Sequence, residues 1–423
     1  MPQEIEAANL DLATIIHDGD RVVWGQGPGE AQTLVEKIVE QRHQIGHIAA
    51  FVGGISYSGI LKPEHADNIE FTAYGAVGEL RKLSQAGVLR LIPCHLSQLS
   101  NYLRSGLIGA DVVFLQLSPP DSSGEYSYGT ANDYMQAALT RARVVIAEVN
   151  DQAPWTWCDK FPPRDRIDYI VRVSRAPVML QARPIAEVEE GIARHVCNYI
   201  EDGTTIQIGI GAIPDAILAA VGDRRELGFH SGLISDRVAD LMEQGVITNA
   251  RKPIDPGLAI AGGLLGTRRL FDFADHNRSV RMMSFDYTHN AGILARQGKI
   301  LAINSAVEVD LTGQVNAEVA AGQYIGAIGG QGDFVRGVQL SPQGRSVIAL
   351  PSTARKISRI VTRLSGPVTT ARGDADLIAT EHGIAELRGQ PIAERIRRMI
   401  AIAHPDFRES LEREAREIHG AAD

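Results

Sequence analysis

The 423-residue sequence is poor in cysteine and has no excess of positive charge. Its three cysteines, Cys94, Cys158 and Cys197, are too far apart for a CxxC metal clamp or a disulfide framework. We therefore expect a reducing, cytoplasmic setting and no metal site. With 42 Lys and Arg against 51 Asp and Glu, the net charge is −9, and the scattered basic residues form no electrostatic footprint for nucleic acid.

Long apolar runs are also missing. The sequence has no stretch of about 18 apolar residues, which argues against a membrane span. The first twenty residues are acidic and lack the charged and apolar regions of a secretory leader, so no export signal is expected. Hydrophobic residues nevertheless make up 44% of the chain, which is too many for a disordered protein and enough for two or three globular domains.

Short apolar segments rich in Val and Ile alternate with amphipathic stretches. Continuous apolar character is typical of strands buried on both faces of a parallel sheet, and the amphipathic stretches predict helices that cover those faces. The predicted fold class is therefore α/β. A segment with adjacent prolines and mixed charge, near 155–185, marks the boundary between two similar domains, 1–180 and 181–423. The clearest predicted strands are 21–25, 88–93, 111–117, 143–150 and 204–211, and the main predicted helices are 31–42, 133–142, 184–200 and 235–245.

Glycine is the one residue in excess, at 42 of 423 residues, about 10% against a usual 7%. Two glycine-rich turns, 25–29 and 209–214, each follow an apolar strand and open a helix, so their backbone N–H groups can approach a phosphate or an oxyanion. Neither fits a dinucleotide fingerprint. A third turn, 326–334, is denser still and indicates close approach of backbone to a ligand.

Eight segments, spread from about residue 20 to 415, keep the order and spacing of one known family. They are SPPDSSGEYSYG (118–129), ARVVIAEVN (142–150), EDGTTIQIGIGAIPDAIL (201–218), LGFHSGLISD (227–236), INSAVEVDLTGQVNAE (303–318), GAIGGQGDFVRG (326–337), ATEHGIAELRGQ (379–390) and RRMIAIAHPDFR (397–408). Together they resemble the acetyl-CoA hydrolase/CoA-transferase family, in particular its branch of 4-hydroxybutyrate and acetate CoA-transferases.

The resemblance implies two similar open α/β/α domains of CoA-transferase type with the active site between them. It implies that coenzyme A enters as an acyl-CoA substrate, that a small acceptor is the second partner, and that the protein is a homodimer or homotetramer. The glycine turns would then cradle the CoA. The residues expected to bind it are Gly25, Gly27, Gly29, Gly209, Gly211, Ile213, Pro214, Gly232, Gly329, Gly330, Gln331 and Asp333.

One departure from the family pattern bears directly on mechanism. Typical members have a glutamate two positions after the histidine that corresponds to His230, and this glutamate is the nucleophile that forms a glutamyl-CoA thioester. Here that position is Gly232, which has no side chain and cannot form a covalent intermediate. The usual Asp-Gly that follows is Asp236-Arg237, which is expected to place a bulky cation near the site.

Four residues of the matching segments are candidate acid/base groups. His230 lies two positions before Gly232, and histidine is the side chain that ordinarily titrates near neutral pH. Glu308, in the segment VEVDL, and the pair Glu381 and His382, in TEHG, are the others. Each has an alternative interpretation as a structural residue: His230 as a support for the site, and the others as members of ion pairs.

Three hypotheses about function remain open from the sequence. In the first, the chain cleaves or transfers the acyl group of a CoA thioester without a glutamyl-CoA intermediate, by hydrolysis, acyl transfer, or cyclisation or condensation. In the second, it is a CoA-transferase in which a substitute carboxylate, Glu308 or Glu381, acts as nucleophile. In the third, it is a non-catalytic paralogue that binds acyl-CoA.

Overall fold

The structure, a computed structural model, describes residues 2–419. Its first half is built around an eight-stranded sheet in which every neighbouring pair is parallel. All six side chains of the strand Val112–Leu117 are buried, as expected for a strand covered on both faces. Across the sheet, the strands are Gln3–Glu4, Tyr169–Val173, Val144–Asn150, Val112–Leu117, Arg21–Trp24, Ile48–Phe51, Ile69–Ala73 and Leu89–Leu91.

The second half is built around a six-stranded sheet. It is parallel except for its last strand, which returns as a hairpin. In order across the sheet, its strands are Gly228–Phe229, Thr205–Ile208, Ile300–Ser305, Arg345–Ala349, Leu377–Thr380 and Gly383–Glu386. The α/β fold class predicted from the sequence is thus confirmed.

Helices pack on the faces of both sheets. They are α1 (Gln32–Ile45), α2 (Leu80–Gln85), α3 (Leu96–Ser105), α4 (Met135–Ala138), α5 (Glu187–Val196), α6 (Ala212–Ala219), α7 (Asp236–Glu243), α8 (Arg268–Ala274), α9 (Phe285–Thr288), α10 (Ala291–Ala295), α11 (Gln331–Gln339), α12 (Ile392–Ala401) and α13 (Pro405–His419). Among residues 2–419, no helix combines the length and the apolar character that a membrane span requires.

The predicted helix at 133–142 is much shorter in the structure, where only α4 is helical. Asp133 has a φ of 37°, which is outside the right-handed helical region, so the helix cannot begin there. The other three main predicted helices agree with α1, α5 and α7 to within a few residues.

Short strands complete the chain around the two sheets. Most of them pair segments of the second half with each other. These short sheets pair Ile55–Ser56 with Val77–Gly78, Leu233–Ile234 with Gly263–Leu264, Ala259–Ala261 with Val280–Met282, Glu308–Asp310 with both Val315–Asn316 and Ile360–Val361, Val319–Ala320 with Gln323–Tyr324, and Thr353–Ala354 with Ile357–Ser358.

One apolar core extends through both halves, and backbone hydrogen bonds join the loops of one half to those of the other. Asn132 N donates to Gly262 O at 2.9 Å, and Leu264 N donates to Thr130 O at 2.8 Å. His95 and Gly329 form a further isolated bridge. These contacts fix the loops of one half against those of the other and so define the walls of any cavity between them. The boundary at 180/181 stays a prediction.

Candidate active site

A cavity of about 140 Å³ lies between the two halves. An engineered cavity of roughly 150 Å³ in another protein holds benzene, so this space suits a group of about four to six non-hydrogen atoms. Gly232, the open position of the family pattern, is in its wall. Other lining residues that matter below are Gln26, Tyr74 and Asp133 from the first half and Gly209, Phe285, His289, Gly330, Gln331 and Phe334 from the second.

Gly232 is held by its backbone and has room for a side chain. Its carbonyl oxygen accepts hydrogen bonds from Gly262 N at 2.9 Å and Gly263 N at 3.1 Å. Its φ is not in the left-handed region, so the backbone does not require glycine. Of the residues that the structure describes, a β carbon built here would meet only His289, at 3.3 Å from Cε1 and 3.5 Å from Nε2. The space beside Gly232 is therefore bounded by one imidazole.

His289 directly follows α9 and is only 2% exposed. Its ring packs between Phe285 and Phe334, with centroid distances of 4.9 Å and 4.6 Å. A β carbon on Gly330 would lie 2.3 Å from Nε2, so glycine is required at 330 for the ring to occupy this place. Packing on three sides thus holds the imidazole against the cavity.

The hydrogen bonds of His289 define its tautomer. Nδ1 lies 2.8 Å from the hydroxyl of Thr288, and that hydroxyl donates to Ser284 O at 3.3 Å. The hydroxyl can accept from the ring but has no second hydrogen to give it, so we assign the proton to Nδ1. Burial, together with a smaller effect of the nearby His230, lowers the pKa of His289 to about 3. Near neutral pH the ring is uncharged, and Nε2 has a free lone pair.

Asp133 is the carboxyl group of the cavity wall, and it is 2% exposed. Its Oδ2 accepts from Gln26 Nε2 at 2.9 Å, whereas its buried Oδ1 has no hydrogen-bond partner among residues 2–419. Burial raises the pKa of Asp133 to about 7, an effect that the hydrogen bond from Gln26 partly offsets.

Gln331, the first residue of α11, is 7% exposed and lines the same cavity. Within the described part of the chain, neither its Oε1 nor its Nε2 has a hydrogen-bond partner, and both atoms are buried. A buried amide with neither group satisfied is costly, which indicates that a ligand supplies the missing partners. Of the residues expected to bind CoA, Gly209, Gly232, Gly330 and Gln331 line this cavity.

The remaining predicted CoA-binding residues lie around the cavity rather than in its wall. Gln26 lines the cavity, whereas its neighbours Gly25, Gly27 and Gly29 are not among the lining residues. Gly211 immediately precedes α6, which includes Ile213 and Pro214. Gly329 forms a bridge to His95. Asp333 accepts from Ser97 N at 3.1 Å and from the Ser97 hydroxyl at 2.6 Å, and so ties α11 to α3. Their roles in binding CoA stay predictions.

The structure does not bring the four acid/base candidates to this cavity. His230 is fully buried, with Nε2 3.0 Å from Thr288 O and Nδ1 3.1 Å from Gln297 Nε2, and burial lowers its pKa to about 3. Glu308 accepts hydrogen bonds from the amide of Asn316 and from the backbone N and the hydroxyl of Ser365. These contacts favour a structural role for both His230 and Glu308.

Glu381 and His382 are at the turn of the last hairpin of the second sheet. Glu381 accepts from the backbone N and the hydroxyl of Ser352, and it lies 3.5 Å from the imidazole of His382. Burial lowers the pKa of His382, so its contact with Glu381 is not an ion pair near neutral pH. Their catalytic roles stay predictions.

Arg237, the second departure from the family pattern, lines a separate cavity of about 500 Å³. Its neighbour Asp236 accepts from Thr267 N at 2.9 Å and from the Thr267 hydroxyl at 2.7 Å. The cation therefore lies near the loop 209–211 but outside the wall beside Gly232.

Sequence reasoning did not identify His289, Asp133 or Gln26. Asp133 comes four residues after a matching segment, and its left-handed backbone gave no signal in a stretch that was predicted to be helical. His289 is far from Gly232 along the chain, and only the fold brings the two together. Gln26 lies in the turn 25–29, which stands out in the sequence only for its glycines.

In residues 2–419, no group of three or more His, Cys, Asp or Glu side chains is arranged to hold a metal ion.

Comparison with known proteins places the chain in a family. The sequence models of the acetyl-CoA hydrolase/transferase N-terminal and C-terminal domains match residues 5–180 and 266–415. The 4-hydroxybutyrate coenzyme A transferase of Clostridium kluyveri is 38% identical over 405 residues, which is 94% of each chain.

Solved structures give the same result. RipA from Yersinia pestis superimposes with a TM-score of 0.93 at 29% identity, covering 99% of this chain and 98% of that one. A 4-hydroxybutyrate CoA-transferase from Porphyromonas gingivalis superimposes with a TM-score of 0.83 at 30% identity, covering 98% of both. The two-domain architecture expected from the resemblance is confirmed, and the chain belongs to the acetyl-CoA hydrolase/transferase family.

Proposed function

We propose that this protein cleaves or transfers the acyl group of a CoA thioester in the interdomain cavity, without a glutamyl-CoA intermediate. The observation that carries the proposal is the position of Gly232. It lies in the cavity wall, and among residues 2–419 the only side chain beside its missing β carbon is the neutral imidazole of His289. Hydrolysis, acyl transfer, and cyclisation or condensation of the acyl group are all compatible with this arrangement.

The polar atoms of the cavity match what a thioester reaction needs. The amide of Gln331 has an unused N–H donor that can hydrogen-bond the thioester carbonyl as it becomes an oxyanion. The lone pair on Nε2 of His289 can accept a hydrogen bond from a nucleophile beside Gly232. The volume of about 140 Å³ leaves room for a short acyl group together with water or another small nucleophile.

A substitute carboxylate finds less support. Glu308 and Glu381 both accept hydrogen bonds from serines outside the cavity, and neither is among its lining residues. The non-catalytic alternative also finds less support. Asp133 Oδ1 and both polar atoms of the Gln331 amide are buried with no partner among residues 2–419, and such atoms lower stability unless a ligand satisfies them.

The acceptor is a small molecule, and coenzyme A enters as acyl-CoA, as the names of the related transferases suggest. A homodimer or homotetramer and a cytoplasmic location complete the proposal.

The test is mass spectrometry of the purified protein with a panel of acetyl-, butyryl- and hydroxyacyl-CoAs. Each reaction is run in water alone and with a short carboxylate, and free CoA, acid, new thioester and protein adducts are all measured. We expect release of CoA with no protein species heavier by one CoA. A CoA adduct on any carboxylate, located by peptide mapping, would establish the substitute-nucleophile mechanism instead. Binding of acyl-CoA without turnover would leave only the non-catalytic alternative.

A further inference from the structure

One polar atom of the cavity has no role in the steps above. Asp133 lines the cavity between the two halves, and its Oδ1 is buried and without a partner in the described part of the chain. We propose that Asp133 is the general base that activates the nucleophile, and that Gln26 positions it. The inference rests on the proposed function and assigns to it a catalytic residue.

The side chain of Asp133 is held by a short chain of hydrogen bonds. Gln26 Oε1 accepts from the hydroxyl of Tyr74 at 2.7 Å and from Gly54 N at 3.0 Å. Both donors point at the same amide atom, which fixes the orientation of the amide, so Nε2 is directed to Asp133 Oδ2. One carboxylate oxygen is therefore anchored, and the other, Oδ1, has no partner among residues 2–419 and can accept a proton.

The backbone holds Asp133 in an uncommon conformation. Its φ of 37° is in the left-handed region, where residues other than glycine are rare and where functional sites are enriched. Asp133 O accepts from Phe285 N at 2.9 Å, and Asn132 N donates to Gly262 O at 2.9 Å. Gly262 also connects Asp133 to the open position, since a β carbon built on it would lie 3.0 Å from both Asp133 Oδ1 and Gly232 O.

The surroundings suit a proton acceptor that works near neutral pH. Burial raises the pKa of Asp133 to about 7, so both protonation states are populated there. The titratable groups that face it are Tyr74 and Tyr134, whose pKa values burial raises far above neutral, and His289, whose pKa burial lowers to about 3. All three are uncharged near pH 7, so the carboxyl is the group that changes charge.

For hydrolysis, the step balances without any further reactant. Water gives a proton to Asp133 Oδ1 while its oxygen bonds to the thioester carbon, and the carbonyl electron pair moves to an oxyanion that the Gln331 amide can stabilise. The C=O bond then re-forms as the C–S bond breaks. The CoA thiolate takes the proton from Asp133, which leaves a free acid, CoA thiol and the original carboxylate.

The decisive variant is Asp133→Asn. Asparagine tolerates a left-handed backbone and can still accept from Gln26, so the fold should persist. We expect turnover to fall by about 100- to 10,000-fold, the usual contribution of a general base, with acyl-CoA binding retained. Asp255→Asn is the matched control, because Asp255 also has a positive φ, of 53°, and its carboxylate accepts from Tyr287 at 2.8 Å outside the cavity wall. It should leave turnover unchanged.

Gln26→Met tests positioning through the pH profile. The wild-type rate should rise with pH and level off above about 7, as the carboxylate forms. The hydrogen bond from Gln26 stabilises the charged form, so its loss should move the midpoint to higher pH. A purely structural role would lower the rate with no shift in midpoint.

The outcomes separate the two proposals. If the wild type turns over no acyl-CoA in the panel, the proposed function fails. If the wild type is active and folded Asp133→Asn keeps its rate within threefold, or if the profile has no midpoint that Gln26→Met moves, Asp133 is not the base. If an acyl or CoA adduct maps to Asp133, the residue is a nucleophile instead, and the inference is overturned.

Discussion

The imidazole of His289 lies against the α carbon of Gly232, so that a β carbon at 232 would be 3.3 Å from Cε1 and 3.5 Å from Nε2 of the ring. The resemblance to the family places a glutamate at this position, and here an uncharged base borders the space instead. Both residues belong to the second half of the chain and line the cavity to which the first half contributes Asp133. The chemistry of the site therefore depends on what occupies the small cavity that these three residues line.

Gly232→Glu should introduce CoA transfer between acetyl-CoA and short carboxylates. The backbone at 232 accepts any residue, and the ring of His289 needs to move only by a few tenths of an ångström to admit a β carbon. A glutamate there would supply the covalent intermediate that the family pattern predicts. The measurement is exchange activity together with a protein species heavier by one CoA.

Gly232→Ala is the control for that experiment, since it adds the β carbon without a nucleophile. It should give no exchange and no adduct. If Gly232→Glu folds, binds acyl-CoA and still gives neither, position 232 is not the place of the nucleophile, and the alignment on which this interpretation depends is wrong.

His289→Asn should lower turnover by about 10- to 100-fold. The asparagine amide can still donate to Thr288 in place of Nδ1–H, but the lone pair of Nε2 beside Gly232 is lost. A factor of this size corresponds to one hydrogen bond of about 1.5–3 kcal/mol to a group that develops charge. Steady-state kinetics and acyl-CoA binding are measured together, because we expect the rate and not the affinity to change.

His230→Asn is the matched comparison for His289. His230 is equally buried, and burial lowers its pKa to about the same value, but both of its ring nitrogens have partners outside the cavity. Its substitution should reduce thermal stability more than His289→Asn does, and it should change the rate less. The reverse order would mean that the role of His289 is structural.

The family and the α/β layers could be predicted from the sequence because both depend on local patterns. The strand Val112–Leu117 is six consecutive apolar or buried residues, and such a run has few alternatives in a soluble protein. The replacement of the family glutamate by Gly232 could also be predicted from the sequence, because Gly232 lies inside the matching segment LGFHSGLISD.

The neighbours of Gly232 could not be predicted in the same way. His289 lies beside Gly232 only because the fold brings residues 57 positions apart into contact, and Asp133 lines the same cavity with a backbone φ of 37° that the sequence pattern did not indicate. Both are consequences of tertiary structure. The opposite error has the same origin: His230 is next to the open place in sequence, yet its side chain points into the second half, toward Thr288 and Gln297.

Gln331→Met should separate stability from activity. Methionine has a similar volume and no polar group, so it removes two buried atoms that have no partners within residues 2–419. We expect the free energy of unfolding of the ligand-free protein to rise by about 1–2 kcal/mol, while the rate falls by about 100- to 1,000-fold through loss of an oxyanion donor. Chemical denaturation and turnover are measured on the same preparation.

Gln339→Met, at the other end of α11, is the control for Gln331→Met. Its amide donates to Asp374 O, so its substitution removes a hydrogen bond that is made and should lower stability without affecting the rate. If Gln331→Met also lowers stability and leaves the rate unchanged, the amide has a structural role, and the oxyanion assignment fails.

The contribution of Glu148 to stability should fall as pH rises from about 5 to 8, so Glu148→Gln should make the slope of the unfolding free energy against pH less negative than in the wild type. Glu148 is fully buried; its Oε2 accepts from Thr33 N and Leu34 N, and its Oε1 has no partner in the described chain. Burial raises its pKa to about 7, well above the value of about 4.3 expected in the unfolded chain. The folded protein therefore keeps a proton that the unfolded chain has lost.

This difference makes the contribution of Glu148 to stability complete below about pH 4 and lost as pH rises through about 7, with a slope of at most about 1.4 kcal/mol per pH unit. The measurement is the free energy of unfolding by urea at pH 5.5, 6.5, 7.5 and 8.5. Burial raises the pKa of Glu30 to about 7 as well, so the variant should retain part of the slope. Glu40→Gln, at an exposed position of α1, is the control and should leave the slope unchanged. A Glu148→Gln slope equal to that of the wild type would mean that the buried carboxyl is charged in the folded protein.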